Sequence, residues 1–352
     1  MEFFDKESTN SKMDTHNKVI ININNGKKKL IVSPGNSLLF TLASQGIFVP
    51  SVCGGRGICG ACKVKVNTDV GDYLPKELSH MSKDEIEDNV RLACQVTVER
   101  DIEIILPEKL FSVNKYFGRV VSIRDVTHDI KELKIQFSEE FNFKAGQYVQ
   151  IVIPPYGQIK QSTQRAYSIA SLPSKKHEIE LLIRLVPDGI ATTYIHNYLK
   201  EGDKLEIIGP LGDFYLRDTN VDVICVAGGS GMAPIKSIIL DMLEKGLTHR
   251  HVWYFFGART EKDLFYVDLF RDIEKKWEKF HFIPVISEPE NPELWNGEIG
   301  LVTDVMVKYL ERVIDKGTSK EAYLCGSPGM INACEKLLKE HGIDKVYYDK
   351  FA

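Results

Sequence analysis

The spacing of apolar and polar positions divides the chain into stretches of different rhythm. From Val19 to Glu108 the apolar runs are short and alternate with polar residues. Val19-Ile20-Ile21-Asn22-Ile23 and Lys29-Leu30-Ile31-Val32 flank Asn24-Asn25-Gly26, the pattern of two strands around a tight turn. Cys62-Lys63-Val64-Lys65-Val66 and Ile102-Glu103-Ile104-Ile105-Leu106 read as further strands, the second ended by Pro107. Ser37 is placed to cap a short helix through Ala43 that stops at Gly46, and Ser82-Lys83-Asp84-Glu85 has the reciprocal capping pattern that opens another. Residues 109–116 read as a linker. Beyond them Gly118 to Ile123, Lys131 to Phe137 and Tyr148 to Ile153 are again strand-like, punctuated by Gly146 and Pro154-Pro155.

From Val221 the rhythm lengthens. Val221 to Ala227 is a continuous apolar run, as in a strand buried on both faces, and Gly228-Gly229-Ser230-Gly231-Met232-Ala233-Pro234-Ile235 opens a helix through Leu243. Val252 to Phe256, Phe282 to Ser287 and Ala322 to Cys325 continue the alternation, with a helix after Val302 and an apolar terminal strand from Val346. Alternation of strand and helix predicts a parallel sheet with helices on both faces and a ligand at the strand C-termini. The polar, aperiodic residues 1–17 are expected to be a disordered tail.

With 352 residues the chain has room for two or three domains. A net charge of −4 argues against general nucleic-acid binding. The longest apolar run, Val221 to Ile235, is broken by Gly228, Gly229, Gly231 and Pro234, so no membrane span is expected and the expected compartment is the cytoplasm. None of the nine histidines stands at a metal-ligand spacing, and His196 reads as a surface residue.

Cysteine placement changes the picture most. Cys53, Cys59 and Cys62 share one loop with Gly54, Gly55, Gly57 and Gly60, and Cys94 follows within Arg91-Leu92-Ala93-Cys94-Gln95. Four thiolates from one tight loop and one distant point suit a [2Fe–2S] cluster. The glycines admit left-handed backbone and can aim N–H groups at the sulfides. Structural zinc also takes four cysteines, but from paired short knuckles, and disulfides belong to an oxidising compartment. Cys225 and Cys334 are expected in the core; Cys325 ends an apolar run and has two readings, a small buried residue or a functional thiol.

The cysteine loop, with strands around a short helix, resembles the β-grasp ferredoxin domain. Five residues separate its first two cysteines, which looks most like the ferredoxin domain in the peripheral flavoprotein subunit of sodium-translocating NADH:quinone reductases. Arg165-Ala166-Tyr167-Ser168 resembles the Arg-x-Tyr-Ser flavin motif of the ferredoxin–NADP⁺ reductase superfamily, built on a six-stranded antiparallel barrel. Gly189-Ile190-Ala191-Thr192 resembles its turn–helix phosphate site, and Arg184-Leu185 its adenosine-side strand. Gly228, Gly229, Gly231 and Pro234, then Arg259, then Cys325-Gly326, resemble its nicotinamide domain, and Phe351 its terminal aromatic over the flavin.

The resemblance implies a ferredoxin domain at 18–110, an FAD barrel at 114–217 and an NAD domain at 218–352. It further implies Cys53, Cys59, Cys62 and Cys94 as cluster ligands, and Ser168, Cys325 and Phe351 at the site of hydride transfer. Electrons would pass from NADH through FAD to the cluster and on to an unidentified protein acceptor. Trp295-x-Gly-x-x-Gly resembles the sodium-pump flavoproteins, whereas Tyr347-Tyr348-Asp349-Lys350-Phe351 resembles soluble reductases that serve oxygenases or other metalloproteins. Lacking an apolar anchor ahead of Lys18, the chain is expected to be of the soluble kind; a quinone reductase subunit and a redox activator of a partner enzyme are the alternatives. Glu261 and Asp263 after Arg259 would repel a 2′-phosphate, so NADH is expected over NADPH.

Overall fold

The computed structural model describes residues 18–350, so the expectations for residues 1–17 and for Phe351 lie outside the described residues. Two compact units result, one of 18–49 with 55–112 and the other of 50–54 with 113–350.

The first unit is a five-stranded mixed sheet holding a short helix. Asn24, Asn25 and Gly26 take φ of 53°, 58° and 81°, three left-handed residues in the four-residue turn that joins β1 (Val19–Ile23) to β2 (Lys28–Val32). Helix α1 (Leu38–Ser44) starts where the Ser37 hydroxyl accepts the Phe40 N–H, and it buries Leu38, Thr41 and Leu42. Then come β3 (Lys63–Val66), α2 (Pro75–Leu78), α3 (Lys83–Glu87), β4 (Val90–Leu92) and β5 (Ile102–Ile105), in sheet order β2-β1-β5-β3-β4. Both halves of the capping box on α3 form: Ser82 Oγ accepts Glu85 N–H and Glu85 accepts Ser82 N–H. The core joins Ile21, Ile23, Leu38, Leu42, Leu92, Val98 and Ile104, each side chain contributing about 1.5–3 kcal/mol on burial.

The second unit carries two sheets. Strands β6 (Asn114–Asp125), β7 (Ile130–Phe137), β8 (Tyr148–Ile153), β9 (Thr163–Ser168), β10 (Glu178–Arg184) and β11 (Lys204–Leu211) form an antiparallel sheet in the order β10-β7-β6-β11-β8-β9. A bridge between Ile169 and Leu181 joins its two edges and closes the barrel. The expected linker therefore ends sooner than the pattern implied: Asn114 to Tyr116 are the first rungs of β6, paired with Gly209 to Ile207. Helix α4 (Ile190–Asn197) lies between β10 and β11.

Beyond the barrel, β12 (Asp222–Gly228), α5 (Met232–Glu244), β13 (Val252–Ala258), α6 (Val267–Lys276), β14 (Phe280–Ile286), β15 (Glu298–Ile299), α7 (Val302–Arg312), β16 (Lys320–Gly326), α8 (Pro328–Glu340) and β17 (Val346–Lys350) follow. Their sheet has the order β15-β14-β13-β12-β16-β17, every pairing parallel. The strand order reverses between β12 and β16, which opens a crevice at their C-terminal ends. Two apolar clusters cover the two faces of the sheet, Cys225 in one and Cys334 in the other.

Candidate cofactor sites

In the cysteine loop Gly54, Gly55, Gly57 and Gly60 all have left-handed φ, between 67° and 89°. A side chain on Gly57 would meet the Gln95 amide at 2.8 Å, and one on Gly60 the His80 ring at 2.9 Å, so the loop lies flat against its neighbours. None of the seven cysteines is joined in a disulfide. The Cys62 thiol is pushed well above the usual range, first by its hydrogen bond with Cys94, then by burial and by Cys59 nearby. Three crowded thiols are unfavourable as anions alone and become favourable beside iron, so this donor set fits the cluster. Among the described residues no three His, Cys, Asp or Glu side chains converge on one ion; a two-iron cluster takes two thiolates per iron.

The arm bearing Cys94 is held by a buried ion pair. Arg91 donates to both oxygens of Glu77 at 2.9 and 2.8 Å, and to the carbonyls of Gly71 and Asp72. Glu77 also accepts the Leu92 N–H, and Ala93 N–H reaches the Cys62 carbonyl at 2.8 Å. These bonds outweigh burial, which alone would raise the Glu77 carboxyl, and hold it below its ordinary range.

On the barrel, β9 presents Arg165, Ala166, Tyr167 and Ser168 against Ile151, Gln150, Val149 and Tyr148. The Tyr167 hydroxyl is buried with no hydrogen-bond partner, and burial pushes its pKa up. A buried orphan of this kind fits a bound ring system with polar atoms. The Arg165 guanidinium turns back on the Gln164 carbonyl at 2.7 Å and the Thr163 hydroxyl at 2.9 Å. Gly189 caps α4, and a Cβ there would lie 2.5 Å from Thr192 Oγ. Thr192 itself closes the turn: its hydroxyl accepts the Val186 N–H at 3.2 Å and lies within reach of the Val186 and Gly189 carbonyls. Ile190 and Ala191 supply the first helical N–H groups beside it. Arg184 pairs with Asp129 at 2.6 Å, and with Leu185, Val186 and Pro187 they line a cleft of about 490 Å³.

The crevice at the C-terminal ends of β12 and β16 is made by glycines. A Cβ on Gly231 would lie 2.3 Å from the Cys325 carbonyl oxygen, and one on Gly326 2.6 Å from Met330 Cε; Gly228 meets Met330 Sδ at 3.2 Å. Gly229 has φ of 53° and Pro234 sits in the first turn of α5, where no N–H is needed. Cys325 is fully buried, its thiol raised by burial and then by Asp349. Arg259 is exposed and pairs with Glu288 at 2.9 Å. Glu261 accepts the Glu290 N–H, and Asp263 caps the turn at Thr260.

Two residues depart from the sequence reading. His196 is only partly exposed: it is half-buried and its Nε2 lies 2.9 Å from the Ile183 carbonyl. Asp349 is no sequence-predicted site residue, yet it accepts from Ser168 Oγ at 3.1 Å and pairs in register with Cys325. It thereby joins the end of β9 to the crevice. The sequence offers Asp349 only as one member of the Tyr347–Phe351 motif, without a role; the β16–β17 register and the Ser168 contact give it one.

Known families agree with this arrangement domain by domain. Residues 21–99 match the profile described as 2Fe-2S iron-sulfur cluster binding domain, 118–215 the oxidoreductase FAD-binding domain and 225–336 the oxidoreductase NAD-binding domain. A Na(+)-translocating NADH-quinone reductase subunit from Neisseria gonorrhoeae is 35% identical, and its counterpart from Klebsiella pneumoniae 37%, each alignment covering 95% of this chain and 91% of the relative. Among solved structures, the Amycolatopsis cytochrome P450 reductase GcoB superposes with a TM-score of 0.76 at 28% identity. The ferredoxin reductase in carbazole 1,9a-dioxygenase gives 0.72 at 27%, and both matches cover 95% of this chain and 98% of the other. The chain therefore belongs to the family of iron–sulfur flavoprotein reductases, NAD(P)H-dependent oxidoreductases that include this subunit of the Na(+)-translocating NADH-quinone reductases.

Proposed function

We propose that the protein oxidises NADH and delivers the electrons to a separate acceptor protein of the oxygenase kind. Bound FAD supplies the change from a two-electron donor to single-electron steps, and a [2Fe–2S] cluster passes those electrons on. The observation that carries the reading is the Ser168–Asp349 hydrogen bond beside Cys325, which brings the flavin strand and the nicotinamide crevice to one point. Cys53, Cys59, Cys62 and Cys94 hold the cluster. Arg165 would offer its fork to the flavin pyrophosphate together with the N–H groups of Ile190 to Thr192, and Tyr167 would supply an aromatic ring to the flavin. The Ser168 hydroxyl would reach a flavin ring nitrogen, with Ala166 beside it on the same strand; Arg184 and Leu185 would serve the adenosine half, and Phe351 is the proposed aromatic partner of the flavin. Gly228, Gly229, Gly231, Pro234 and Gly326 shape the nicotinamide side, with Cys325 at its floor.

NADH is the donor in this reading. The Arg259 guanidinium is held by Glu288, and Glu261 stands two residues on, so a 2′-phosphate would meet carboxylates where it needs a clamp. No helix among the described residues is long and apolar enough to cross a membrane, and three cysteines outside the proposed ligand set, Cys225, Cys325 and Cys334, an odd number, suit a reducing cytoplasmic setting. Titration of the purified protein with NADH under anaerobic conditions, followed by a cognate oxygenase component, tests the whole sequence. Flavin that stays oxidised, or a cluster that stays oxidised once the flavin is reduced, would refute it. The 35–37% identity to quinone-reductase subunits favours a second acceptor, a membrane quinone reductase; NADH:quinone activity restored by this chain to membranes lacking their own flavoprotein would select that one.

A further inference from the structure

Within the second unit, the face between barrel and nucleotide module buries a set of charges that neither cofactor site uses. Glu132 on β7 and Glu180 on the adjacent β10 are 1% and 9% exposed. Arg124 of β6, opposite Glu132 in register, grips both its oxygens at 2.7 Å, and Lys134 lies between the two carboxylates, 3.7 and 4.0 Å away. Two groups arrive from the nucleotide side. Lys236, in α5 and 5% exposed, donates to Glu180 Oε1; the Tyr266 hydroxyl donates to Glu132 and stands 3.2 Å from Glu180 Oε1. The Lys236 ammonium also lies over the Tyr266 ring at 4.3 Å. One residue along α5, Ser237 donates to the Ser171 carbonyl at 2.7 Å.

Tyr266 has left-handed backbone, φ 57° and ψ 20°. For a bulky L-residue that conformation is sterically costly and persists only where the surroundings fix it. Apolar side chains would have joined the two surfaces at least as strongly, because desolvating carboxylates and ammonium groups consumes most of what their pairing returns. What directional bonds add is a single register. That register bears on the crevice. The residue capping the N-terminus of α5 is Gly231, packed on the Cys325 carbonyl, and β10 carries Glu180 and ends at Arg184, whose Nη1 lies 3.7 Å from where a Gly229 Cβ would stand.

We propose that Tyr266 and Lys236 are positioning residues: bonded to Glu132 and Glu180, they latch α5 onto the barrel and set the approach of nicotinamide crevice to flavin strand. The latch rests on the functional reading above. Burial alone would raise the Glu132 carboxyl, but Arg124 and Tyr266 hold it down at about 2, so it stays charged across the physiological range.

The test uses the full chain with Tyr266→Phe, which deletes one oxygen and keeps the ring, Lys236→Met, and Lys236→Arg as the conservative partner. In stopped-flow reduction by NADH, the limiting rate of flavin bleaching falls at least about tenfold in the first two, with the Kd for NADH within about threefold of the parent. Lys236→Arg recovers most of the rate. In FAD-free protein, hydrogen exchange across Met232–Glu244 quickens by about tenfold or more in Tyr266→Phe, while β12 and β13 keep their protection. A parental bleaching rate in folded Tyr266→Phe, or unchanged exchange in α5, overturns the latch. So does a variant that loses stability or FAD yet bleaches normally per bound flavin, since the network is then structural only. Should Lys236→Met not fold, Tyr266→Phe decides alone. A parent protein whose flavin NADH does not bleach sinks the functional reading, and the latch with it.

Discussion

Replacing Gly231 with alanine should disable nicotinamide chemistry while sparing FAD. The backbone there (φ −60°, ψ −13°) is ordinary right-handed helix, so conformation raises no objection. Space does. The new Cβ would lie 2.3 Å from the Cys325 carbonyl oxygen, 2.7 Å from its carbon and 3.1 Å from Gly326 Cα, all backbone atoms. Such contacts relax near about 3.5 Å, so the strand end must retreat by roughly 1 Å. It cannot do so alone, because Cys325 is paired to Ala227 on one side and Asp349 on the other. Overpacking of this kind costs about 1–3 kcal/mol, and a misplacement of roughly 1 Å near reacting groups costs on the order of 10²-fold in rate. Stopped-flow bleaching by NADH should therefore slow by about 100-fold with FAD content unchanged, and the calorimetric Tm should drop by roughly 2–10 °C. Gly329→Ala, in a helix with nothing within 4 Å of the added methyl, is the control and should bleach and melt like the parent or better. Parental kinetics in Gly231→Ala would refute the steric argument.

Three other outcomes are expected. Cys94→Ser should abolish iron and acid-labile sulfide as fully as Cys53→Ser while FAD stays bound, which chemical assay and absorbance would show; retained cluster in either variant contradicts the ligand set. Burial raises the Asp349 carboxyl above its ordinary range and the Ser168 bond offsets only part of that; a raised acid adds stability below its unfolded pKa and loses it as pH rises through the folded value. Asp349→Asn should accordingly melt above the parent near about pH 8 and close to it near about pH 4, and the opposite trend in a pH series of melting curves rules this out. Glu288→Ala frees Arg259, so the ratio of kcat/KM for NADH over NADPH should narrow by roughly tenfold, about 1.4 kcal/mol; an unchanged ratio removes Arg259 from donor choice.

Much of this architecture can be read where local rules act alone. Asn24-Asn25-Gly26 can hardly be anything but a hairpin turn, and Ser82 with Glu85 announces α3. Glycine spacing exposes the cluster loop and the nucleotide crevice, because only a residue without Cβ tolerates those approaches. Reading fails where a distant partner decides. Strand β4 is three residues with Arg91 at its centre, and that arginine is buried only because Glu77 meets it. Asn114 and Lys115 look like linker, yet β11, far along the chain, turns them into strand. The latch is fainter still: its members sit on separate elements, and its traces are one acid in the apolar run of β10 and one lysine in an apolar helix.

The Glu77–Arg91 knot bears on how the iron–sulfur domain matures. Small zinc domains fold only when metal arrives, because metal bonds supply most of their stability. Here the arm that carries Cys94 is fastened by Arg91, Glu77 and the Ala93–Cys62 backbone bond, none of which passes through iron. Folding should then precede metal delivery, and the assembly machinery would meet a finished receptacle instead of an open chain. Oxidative loss of the cluster becomes an injury open to repair in place, with the sheet serving as the mould for its replacement.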